Sequence, residues 1–267
     1  MNSPSSPYHS RASVRGKVWL IGAGPGDPEL LTVKAARLLQ DCAIWLVDDL
    51  VGKAILELAG PQTRIINVGK RGGCASTPQQ FILRLMARYA RQGHAVARLK
   101  GGDPFIFGRG GEEMAWLAEH GIPVEAVSGI TAGLAVGSAL GLPLTHRACA
   151  RGVTLVTAHT ADGSQPNWKA LADSGLTIVC YMGMSGIDEL TRALQAAGFP
   201  ASLPVAVVQR VSCAAQRQLI TTLARLAHDV DTHGLGSPSV IVLGQVVGLA
   251  HGALLDADQE PSLALAI

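Results

Sequence analysis

The sequence predicts an α/β protein with two domains, in which the first half of the chain forms a mainly parallel sheet and the second half a mixed sheet. From Val18 onward, short β-branched runs alternate with glycine-rich turns and with segments of helical periodicity, which is typical of strands connected by helices. From Val153 onward, strand-like runs follow one another more closely, which favours a mixed sheet. A length of 267 residues favours two modest domains over one.

The predicted boundaries follow the changes in this pattern. The first stretch is polar, rich in serine and proline, and lacks the apolar core of a secretory signal, so we expect a flexible tail there. The segment LPLTHRACARG separates the two alternating regions and contains the expected hinge. The expected divisions are a tail at 1–15, an N-terminal α/β domain at 16–143, the hinge at 144–151, a C-terminal α/β domain at 152–250 and a second tail at 251–267.

Composition and charge exclude several classes of protein. Apolar residues make up 48% of the chain and charged residues 16%, which is typical of a globular protein. The net charge of +2 is too small for a protein that neutralises many phosphates, so nucleic acid is not an expected partner. The apolar runs fall short of the roughly 20 residues that span a bilayer, so no membrane segment is expected. The five cysteines are scattered singly, which indicates no zinc or other metal site and favours a reducing cytoplasm.

The first glycine-rich loop, GAGPGD at residues 22–27, follows the apolar run VWLI. It looks like a dinucleotide-binding fingerprint, but Asp27 stands where the third glycine is needed. Pro25 also removes a backbone donor, and an acidic residue at a helix start disfavours a bound pyrophosphate. The loop therefore favours a neutral or cationic ligand.

We expect Asp27 and Pro28 to begin the helix that follows this loop. Its predicted buried face consists of Leu31, Ala35, Leu38 and Leu39.

Helical periodicity also predicts a helix in the segment FILRLMARYARQ. Thr77, followed by Pro78 and Gln80, is typical of a capping box, and Gly93 is expected to end the helix. The predicted buried face consists of Phe81, Ile82, Leu85, Met86 and Tyr89.

Further polar clusters follow other strand-like runs. The loop GGDP at 101–104 would let the backbone approach a ligand closely, and Asp103 could accept hydrogen bonds there. Asp48 and Asp49 follow the run AIWLV, and GKR at 69–71 follows RIINV. Because ligands of open parallel sheets bind at the carboxyl ends of the strands, we expect these clusters to form one site. Two acidic, glycine-rich loops fit a positively charged sulfonium compound such as S-adenosylmethionine.

Several motifs together resemble the tetrapyrrole methyltransferase family. They are, in chain order, GAGPGDPELLT, GKR at 69–71, RLKGGDPFIFGRGGEE at 98–113, GITA at 129–132, LPLTHR, YMGM and GSPSVIVLGQVV. The resemblance extends from Lys17 to about residue 249 and so covers nearly the whole chain. The long motif at 98–113 favours the members that methylate uroporphyrinogen III over the later corrin-ring methyltransferases and diphthine synthase.

The resemblance implies a two-domain tetrapyrrole methylase fold with the methyl donor between the domains, in a homodimer. It implies sequential methyl transfer from S-adenosylmethionine to C2 and C7 of uroporphyrinogen III. The products would be S-adenosylhomocysteine and precorrin-2, an intermediate toward sirohaem and cobalamin. By matching motif positions, the residues expected to touch the donor are Pro25, Gly101, Gly102, Asp103, Ile106, Thr131, Ala132, Met182 and Val211.

The resemblance also implies catalytic and substrate-binding roles. Asp48 corresponds to the family's proposed proton acceptor and Lys70 to its proposed proton donor. Such groups suit a reaction in which a pyrrole carbon attacks the sulfonium methyl and a proton must then leave. The substrate is a polycarboxylate, so clustered cations are expected to hold it. The expected substrate-binding residues are Arg109, Glu112 and Arg147, with Lys100 and Arg71 as further cationic candidates. Arg109 and Glu112 could also replace Asp48 as the chemical centre.

The chain departs from the family's pattern at a few positions. Val47 and Asp49 replace a tyrosine and an arginine, Ala75 stands near the place of a usual histidine, and Leu83 replaces an asparagine. The segment at 209–211 replaces an acid, asparagine and glycine where a backbone contact to the donor is expected. Two alternatives stay open: a family member with another tetrapyrrole substrate, and a paralogue that binds donor or tetrapyrrole without turnover. The mismatch of the loop at 22–27 with the dinucleotide-binding fingerprint, at Asp27, disfavours a nicotinamide oxidoreductase.

Overall fold

The structure is a computed structural model that describes residues 16–69, 77–158 and 163–250. Its internal contacts divide the chain after Thr131 into two compact units. The predicted tails at 1–15 and 251–267 lie outside the described residues. The division by contacts precedes the segment 144–151, whose role as a hinge stays a prediction.

A parallel sheet forms the centre of the first unit. Its strands are β1 (Val18–Gly22), β2 (Ile44–Val47), β3 (Arg64–Asn67), β4 (Val96–Lys100) and β5 (Val124–Val127). They lie in the order β3-β2-β4-β1-β5, and each neighbouring pair is parallel. The connecting helices are α1 (Val33–Asp41), α2 (Lys53–Leu56), α3 (Gln79–Arg91) and α4 (Gly110–Glu119). Parallel neighbours need such crossover connections, and the predicted parallel sheet is confirmed.

The central strands β1, β2 and β4 are buried on both faces of the sheet, because alternate residues of each strand point to opposite sides and both sides are covered. In β2, Trp45 and Val47 pack on one side in a core cluster with α1. Ile44 and Leu46 pack on the other side, in a cluster with α3. The parallel sheet therefore has two apolar layers, which explains why its strands read as continuous apolar runs.

The first predicted helix is interrupted. Asp27 accepts a hydrogen bond from the backbone amide of Glu29 and begins only a 3₁₀ turn at Pro28–Leu30. The α-helix proper begins after Thr32, whose side chain accepts from the Ala35 amide at 3.1 Å. The prediction of a single helix from Asp27 was wrong because Thr32 provides a second, competing N-cap. Ala35, Leu38 and Leu39 are buried as predicted, and Leu31 packs partly buried against them.

Helix α3 is rotated relative to the prediction. Its buried residues are Ile82, Leu83, Met86, Ala87 and Ala90. Phe81 is 55% exposed, so its predicted burial was wrong. The helix begins after Pro78 without a side-chain cap, which also contradicts the predicted capping box. The small side chains of Ala87 and Ala90 let the helix lie close to the sheet. A prediction based on large apolar residues does not identify this face.

The second unit contains a mixed sheet. Its strands are β6 (Val153–Thr157), β7 (Thr177–Tyr181), β8 (Pro204–Gln209), β9 (Arg217–Thr222) and β10 (Ser239–Leu243), in the order β6-β7-β10-β8-β9. The pair β6–β7 is parallel and the other neighbouring pairs are antiparallel, which confirms the predicted mixed sheet. The helices are α5 (Ala132–Leu140), α6 (Trp168–Ser174), α7 (Ile187–Ala196) and α8 (Leu226–Thr232).

One glycine fixes the position of α5 on this sheet. The backbone amide of Gly133 donates to the hydroxyl of Tyr181 at 2.6 Å, and a Cβ at Gly133 would collide with that hydroxyl. Only glycine allows this close approach. Within the described residues, no helix is both long and apolar enough to cross a membrane.

Candidate functional site

Three glycine-containing loops meet at the carboxyl edge of the parallel sheet. Gly24, after β1, and Gly102, after β4, exchange backbone hydrogen bonds of 2.8 and 3.2 Å. A Cβ at Gly22 would lie 2.5 Å from the amide nitrogen of Gly129, which follows β5. A Cβ at Gly129 would collide with the carbonyl oxygen of Gly102. The glycines are therefore required by close backbone approach, and together they form a concave backbone surface that we call the glycine cradle.

Asp103 ties two of these loops together. Its Oδ2 accepts from the Gly129 amide at 3.0 Å, and its Oδ1 accepts from the Phe105 amide at 2.8 Å. Each carboxylate oxygen retains capacity for a further hydrogen bond. Asp103 thus shapes the cradle and can still serve as an acceptor for a ligand.

Most of the predicted donor-binding residues of the first unit surround the cradle. The pairing of Gly24 with Gly102 brings the loop of Pro25 beside Gly101, Gly102 and Asp103. The position of a Cβ on Gly102 would be 3.4 Å from the Cα of Thr131, so that buried residue borders the same surface. Ile106 is exposed on the loop that follows Asp103. The structure brings Pro25, Gly101, Gly102, Asp103 and Thr131 together.

The remaining predicted donor-binding residues belong to the second unit. Ala132 begins α5, Met182 follows β7 directly, and Val211 lies in the turn after β8. Met182 is 50% exposed with φ +57°, whereas Val211 is buried. Arg210, beside Val211, has φ +53°. Left-handed backbone is costly for residues with a side chain and clusters at ligand sites, which favours a binding role for these strand ends.

The cradle fits S-adenosylmethionine by its chemistry. Its glycines expose backbone groups that adenosine can contact, and its side-chain charges, Asp27 and Asp103, are acidic. A sulfonium is favoured by such carboxylates, whereas a pyrophosphate is not. Pro25, which has no amide hydrogen, also removes a donor that a phosphate would use. The donor itself supplies an electrophilic methyl group when bound.

A charged cluster lies next to the cradle, at the ends of β2 and β4. Asp48 follows β2 and its side chain is 35% exposed; its Oδ2 accepts from Nη2 of Arg98 at 3.3 Å and lies 4.0 Å from Nζ of Lys100. Arg98 and Lys100 are both 3% exposed. Oε1 of Glu113, in the first turn of α4, accepts from Nε of Arg98 at 3.2 Å and from Nζ of Lys100 at 3.3 Å. We call Asp48, Arg98, Lys100 and Glu113 the buried charge cluster.

Lys100 is not an exposed cation. Burial, together with the neighbouring positive charge of Arg98, lowers the pKa of its ammonium, and Glu113 and Asp48 oppose that shift. Its charge is committed to the buried cluster, so the structure does not support the expectation that Lys100 is a free anchor for substrate carboxylates. Lys70 and Arg71, the other basic residues of the predicted site near β3, lie outside the described residues.

Arg109 and Glu112 form an exposed pair at the start of α4. Nη2 of Arg109 lies 2.6 Å from Oε2 of Glu112, and Arg109 adopts φ +58°. The hydrogen bond that Arg109 donates to Glu112 lowers the pKa of Glu112 and raises the pKa of Arg109. Both side chains are more than half exposed, so a carboxylate ligand can reach the guanidinium.

Arg147 lies in the second unit, on an open hollow of about 320 Å³. The hollow is lined by Thr145, His146, Arg147, Ala150 and Arg151. His146 and Ala150 pair across the turn that carries Arg147, with an amide-to-carbonyl distance of 2.8 Å. Two guanidinium groups on one small turn are suited to carboxylate binding.

Comparison with known proteins identifies the family. Residues 17–227 match the family of tetrapyrrole (corrin/porphyrin) methylases. The chain belongs to this family. A uroporphyrinogen-III C-methyltransferase of Pseudomonas aeruginosa is 56% identical over 231 residues, which cover 86% of this methylase and 94% of that protein. A sirohaem synthase of Methylobacillus flagellatus is 46% identical over 88% of this chain, which spans only 50% of that longer protein.

A solved structure agrees with this assignment. The uroporphyrin-III C-methyltransferase of Thermus thermophilus, crystallised with S-adenosylhomocysteine, is 40% identical and superposes with a TM-score of 0.76. The similarity covers 87% of this methylase and 99% of the Thermus chain. The predicted α/β fold of a two-domain tetrapyrrole methylase is confirmed.

Sequence reasoning missed part of the methylase's charged machinery. Arg98, Glu113 and Gln79, whose Nε2 donates to Glu113 at 3.0 Å, received no role. A signal was present: Arg98 and Lys100 are two residues apart in the strand VARLK, so they share one face of a sheet that is buried on both sides. Two buried cations on one face require a buried anion, and Glu113 lies in the same motif.

Proposed function

We propose that this chain is an S-adenosylmethionine-dependent C-methyltransferase that methylates uroporphyrinogen III at C2 and C7. The products are precorrin-2 and S-adenosylhomocysteine. The observation that carries the proposal is the placement of the glycine cradle beside Asp48 at one sheet edge. The similarity to full-length uroporphyrinogen-III C-methyltransferases supports the choice of substrate. The sirohaem synthase relatives support a place in sirohaem biosynthesis, and the family supports cobalamin biosynthesis as the other destination.

In this proposal the glycine cradle holds the methyl donor. Gly101 and Gly102 allow close approach of the backbone, Asp103 accepts a hydrogen bond, and Pro25 and Thr131 border the bound molecule. Ala132, Met182 and Val211 are further proposed donor contacts, and Ile106 is a proposed apolar contact. The S-adenosylhomocysteine in the Thermus relative supports a donor of this class.

Asp48 removes the proton that leaves the tetrapyrrole after the pyrrole carbon has attacked the methyl group. Its carboxylate is oriented by Arg98 and partly open to solvent, so it combines a fixed position with access. Lys70 acts as the proton donor. Arg109 and Arg147 bind substrate carboxylates, and Glu112 orients the Arg109 guanidinium. If Asp48 has no chemical role, the Arg109–Glu112 pair is the alternative centre.

Three departures from the family's pattern, at Asp49, Ala75 and Leu83, bear on the alternative functions. Leu83 is 4% exposed in the core beneath α3, where it packs among apolar residues. Its replacement of asparagine is therefore a packing change and gives little support to a different substrate. Asp49 is exposed beside Asp48 and keeps that alternative open. Ala75 lies outside the described residues.

We also propose that the enzyme is a cytoplasmic homodimer, as the family resemblance implies, and that the segment 144–151 is a hinge. Light scattering after size-exclusion chromatography tests the dimer: a mass of about one chain at micromolar concentration would contradict it.

The function is tested by incubating the chain with S-adenosylmethionine, adding uroporphyrinogen III and measuring the S-adenosylhomocysteine that is released. We expect release that depends on the tetrapyrrole and saturates with it. A paralogue without activity would bind both ligands in calorimetry and release none. A methylase for another tetrapyrrole would release S-adenosylhomocysteine with that compound and not with uroporphyrinogen III.

A further inference from the structure

The buried charge cluster contains two cations on the same face of β4. Arg98 and Lys100 follow Val96 on the face that otherwise packs against α3, and both are nearly inaccessible to solvent. Charges in such a layer are unfavourable unless they are paired. The burial of the two cations is therefore compensated by the carboxylates of the same cluster.

Glu113 is paired with both buried cations of β4. Its Oε1 accepts hydrogen bonds from Gln79, Arg98 and Lys100 at 3.0 to 3.3 Å. Within the described part of the chain, its buried Oε2 has no hydrogen-bond partner. The carboxylate therefore neutralises one of the two buried cations.

Asp48 faces the cations that remain. From β4, Arg98 and Lys100 approach its Oδ2 at 3.3 and 4.0 Å. From its own segment, Asp49 donates its backbone amide to Oδ1 at 3.1 Å and carries an exposed carboxylate. From α4, Glu113 lies behind the two cations, and Glu112 acts on Lys100 from the exposed side of the helix. From α3, Gln79 contributes a neutral amide. Of the described groups near Asp48, three are buried and charged: Arg98, Lys100 and Glu113. Together they carry one net positive charge.

We propose that Glu113 is a positioning residue that sets the basicity of Asp48 by neutralising one of the two buried cations of β4. Arg98 bridges the two carboxylates, so it transmits this effect and also fixes the orientation of Asp48. Without Glu113, Asp48 would face two uncompensated cations, which favour its ionised form and make its carboxylate a weaker base. The inference rests on the proposed role of Asp48 in methylation.

The effect follows from the charge near Asp48, so two single substitutions have opposite signs. Glu113→Gln retains an oxygen that can accept the same three donors but removes the negative charge, which leaves two net positive charges beside Asp48. Lys100→Met keeps a side chain of similar length and leaves no net charge. The double variant Glu113→Gln/Lys100→Met restores the single net positive charge of the native cluster.

The experiment is a pH titration of ¹³C-labelled aspartate carboxyls by NMR in the full chain without substrate. The Asp48 signal is assigned by its loss in Asp48→Asn. We expect the protonation midpoint of Asp48 to fall by about one pH unit in Glu113→Gln and to rise by about one unit in Lys100→Met. In the double variant it returns to the native value. Lys169→Met, which removes a cation from an exposed ion pair with Asp173, is the matched control and leaves the midpoint unchanged.

Midpoints that do not move in opposite directions would overturn the coupling, whatever the activities of the variants. If Glu113→Gln does not fold, the comparison of Lys100→Met with the charge-balanced double variant decides. If Asp48 is the base, the acid limb of the pH–turnover profile should shift in the same way: to lower pH in Glu113→Gln, to higher pH in Lys100→Met, and back to the native position in the double variant. The midpoints could move as expected while Asp48→Asn turns over at the native rate. That result would support the coupling between Glu113 and Asp48 and would exclude Asp48 as the base in the proposed mechanism.

Discussion

The carboxylate of Asp103 accepts the backbone amide of Gly129 at 3.0 Å and thereby joins the loop after β4 to the loop after β5. The same side chain accepts the amide of Phe105 at 2.8 Å. Asp103 therefore has a structural role in the glycine cradle in addition to its proposed contact with the donor.

Substitution of Asp103 by alanine should affect both stability and donor binding. Hydrogen bonds to charged groups contribute roughly 1.5 to 3 kcal/mol, so we expect a loss of about that size in S-adenosylhomocysteine binding and a loss in the free energy of unfolding. Calorimetry and urea denaturation measure the two quantities. Asp173→Ala, at an exposed ion pair, is the control. Native donor affinity in Asp103→Ala would exclude this aspartate from the donor site.

Gly102 and Gly121 form a matched pair for testing the cradle. Both have φ +68°, so an alanine at either position carries the same backbone strain, of about 1 to 2 kcal/mol. A Cβ at Gly121 would have no neighbour within 4 Å, whereas one at Gly102 would face Thr131 at 3.4 Å on the cradle surface. We expect similar losses of stability but weaker S-adenosylhomocysteine binding only in Gly102→Ala. Equal affinities in the two variants would contradict a donor site at Gly102.

The fold and the glycine loops could be predicted because both depend on local pattern. Alternation of apolar runs with turns predicts strands and crossover connections. Glycine at the end of a strand indicates a close backbone approach, whichever segment follows it. The face of α3 could not be read in the same way. Phe81 is larger than Ala87, yet Ala87 is buried and Phe81 is exposed, because the approach of helix to sheet selects small residues.

The buried charge cluster escaped prediction for a related reason. Charged residues are ordinarily assigned to the surface, and a polycarboxylate substrate favours Lys100 as a candidate anchor. Its actual partner depends on the packing of α4 over the end of β4, which brings Glu113 within 3.3 Å. Sequence proximity of Lys100 and Glu113 did not reveal that contact, since a turn and the start of a helix intervene.

Arg109 and Arg147 should separate substrate binding from donor binding. Each alanine variant should weaken binding of uroporphyrinogen III by roughly tenfold, the loss of one charged hydrogen bond, while S-adenosylhomocysteine affinity stays native. Fluorescence titration and calorimetry measure the two affinities. Arg225→Ala serves as the comparison, because Arg225 pairs with Asp229 on α8 and is not a predicted site residue. Parallel loss of both affinities in Arg109→Ala would indicate a folding defect.

Asp48→Asn keeps the shape of the side chain and removes its basicity. If Asp48 is the base, single-turnover rates should fall by about 10²- to 10⁴-fold while donor affinity persists. Asp49→Asn is the neighbouring control: its side chain is exposed, and its backbone amide still donates to Asp48. Native rates in Asp48→Asn combined with a slow Glu112→Gln would transfer the proton-handling role to the Arg109–Glu112 pair.

The central claim is the identity of the reaction, and the mass of the product tests it most directly. The chain is incubated without oxygen with uroporphyrinogen III and S-adenosylmethionine, and the tetrapyrrole is analysed by mass spectrometry. The account predicts a product with two added methyl groups and two molecules of S-adenosylhomocysteine released per tetrapyrrole. Unmodified uroporphyrinogen III, under conditions in which the chain binds S-adenosylhomocysteine, would contradict it.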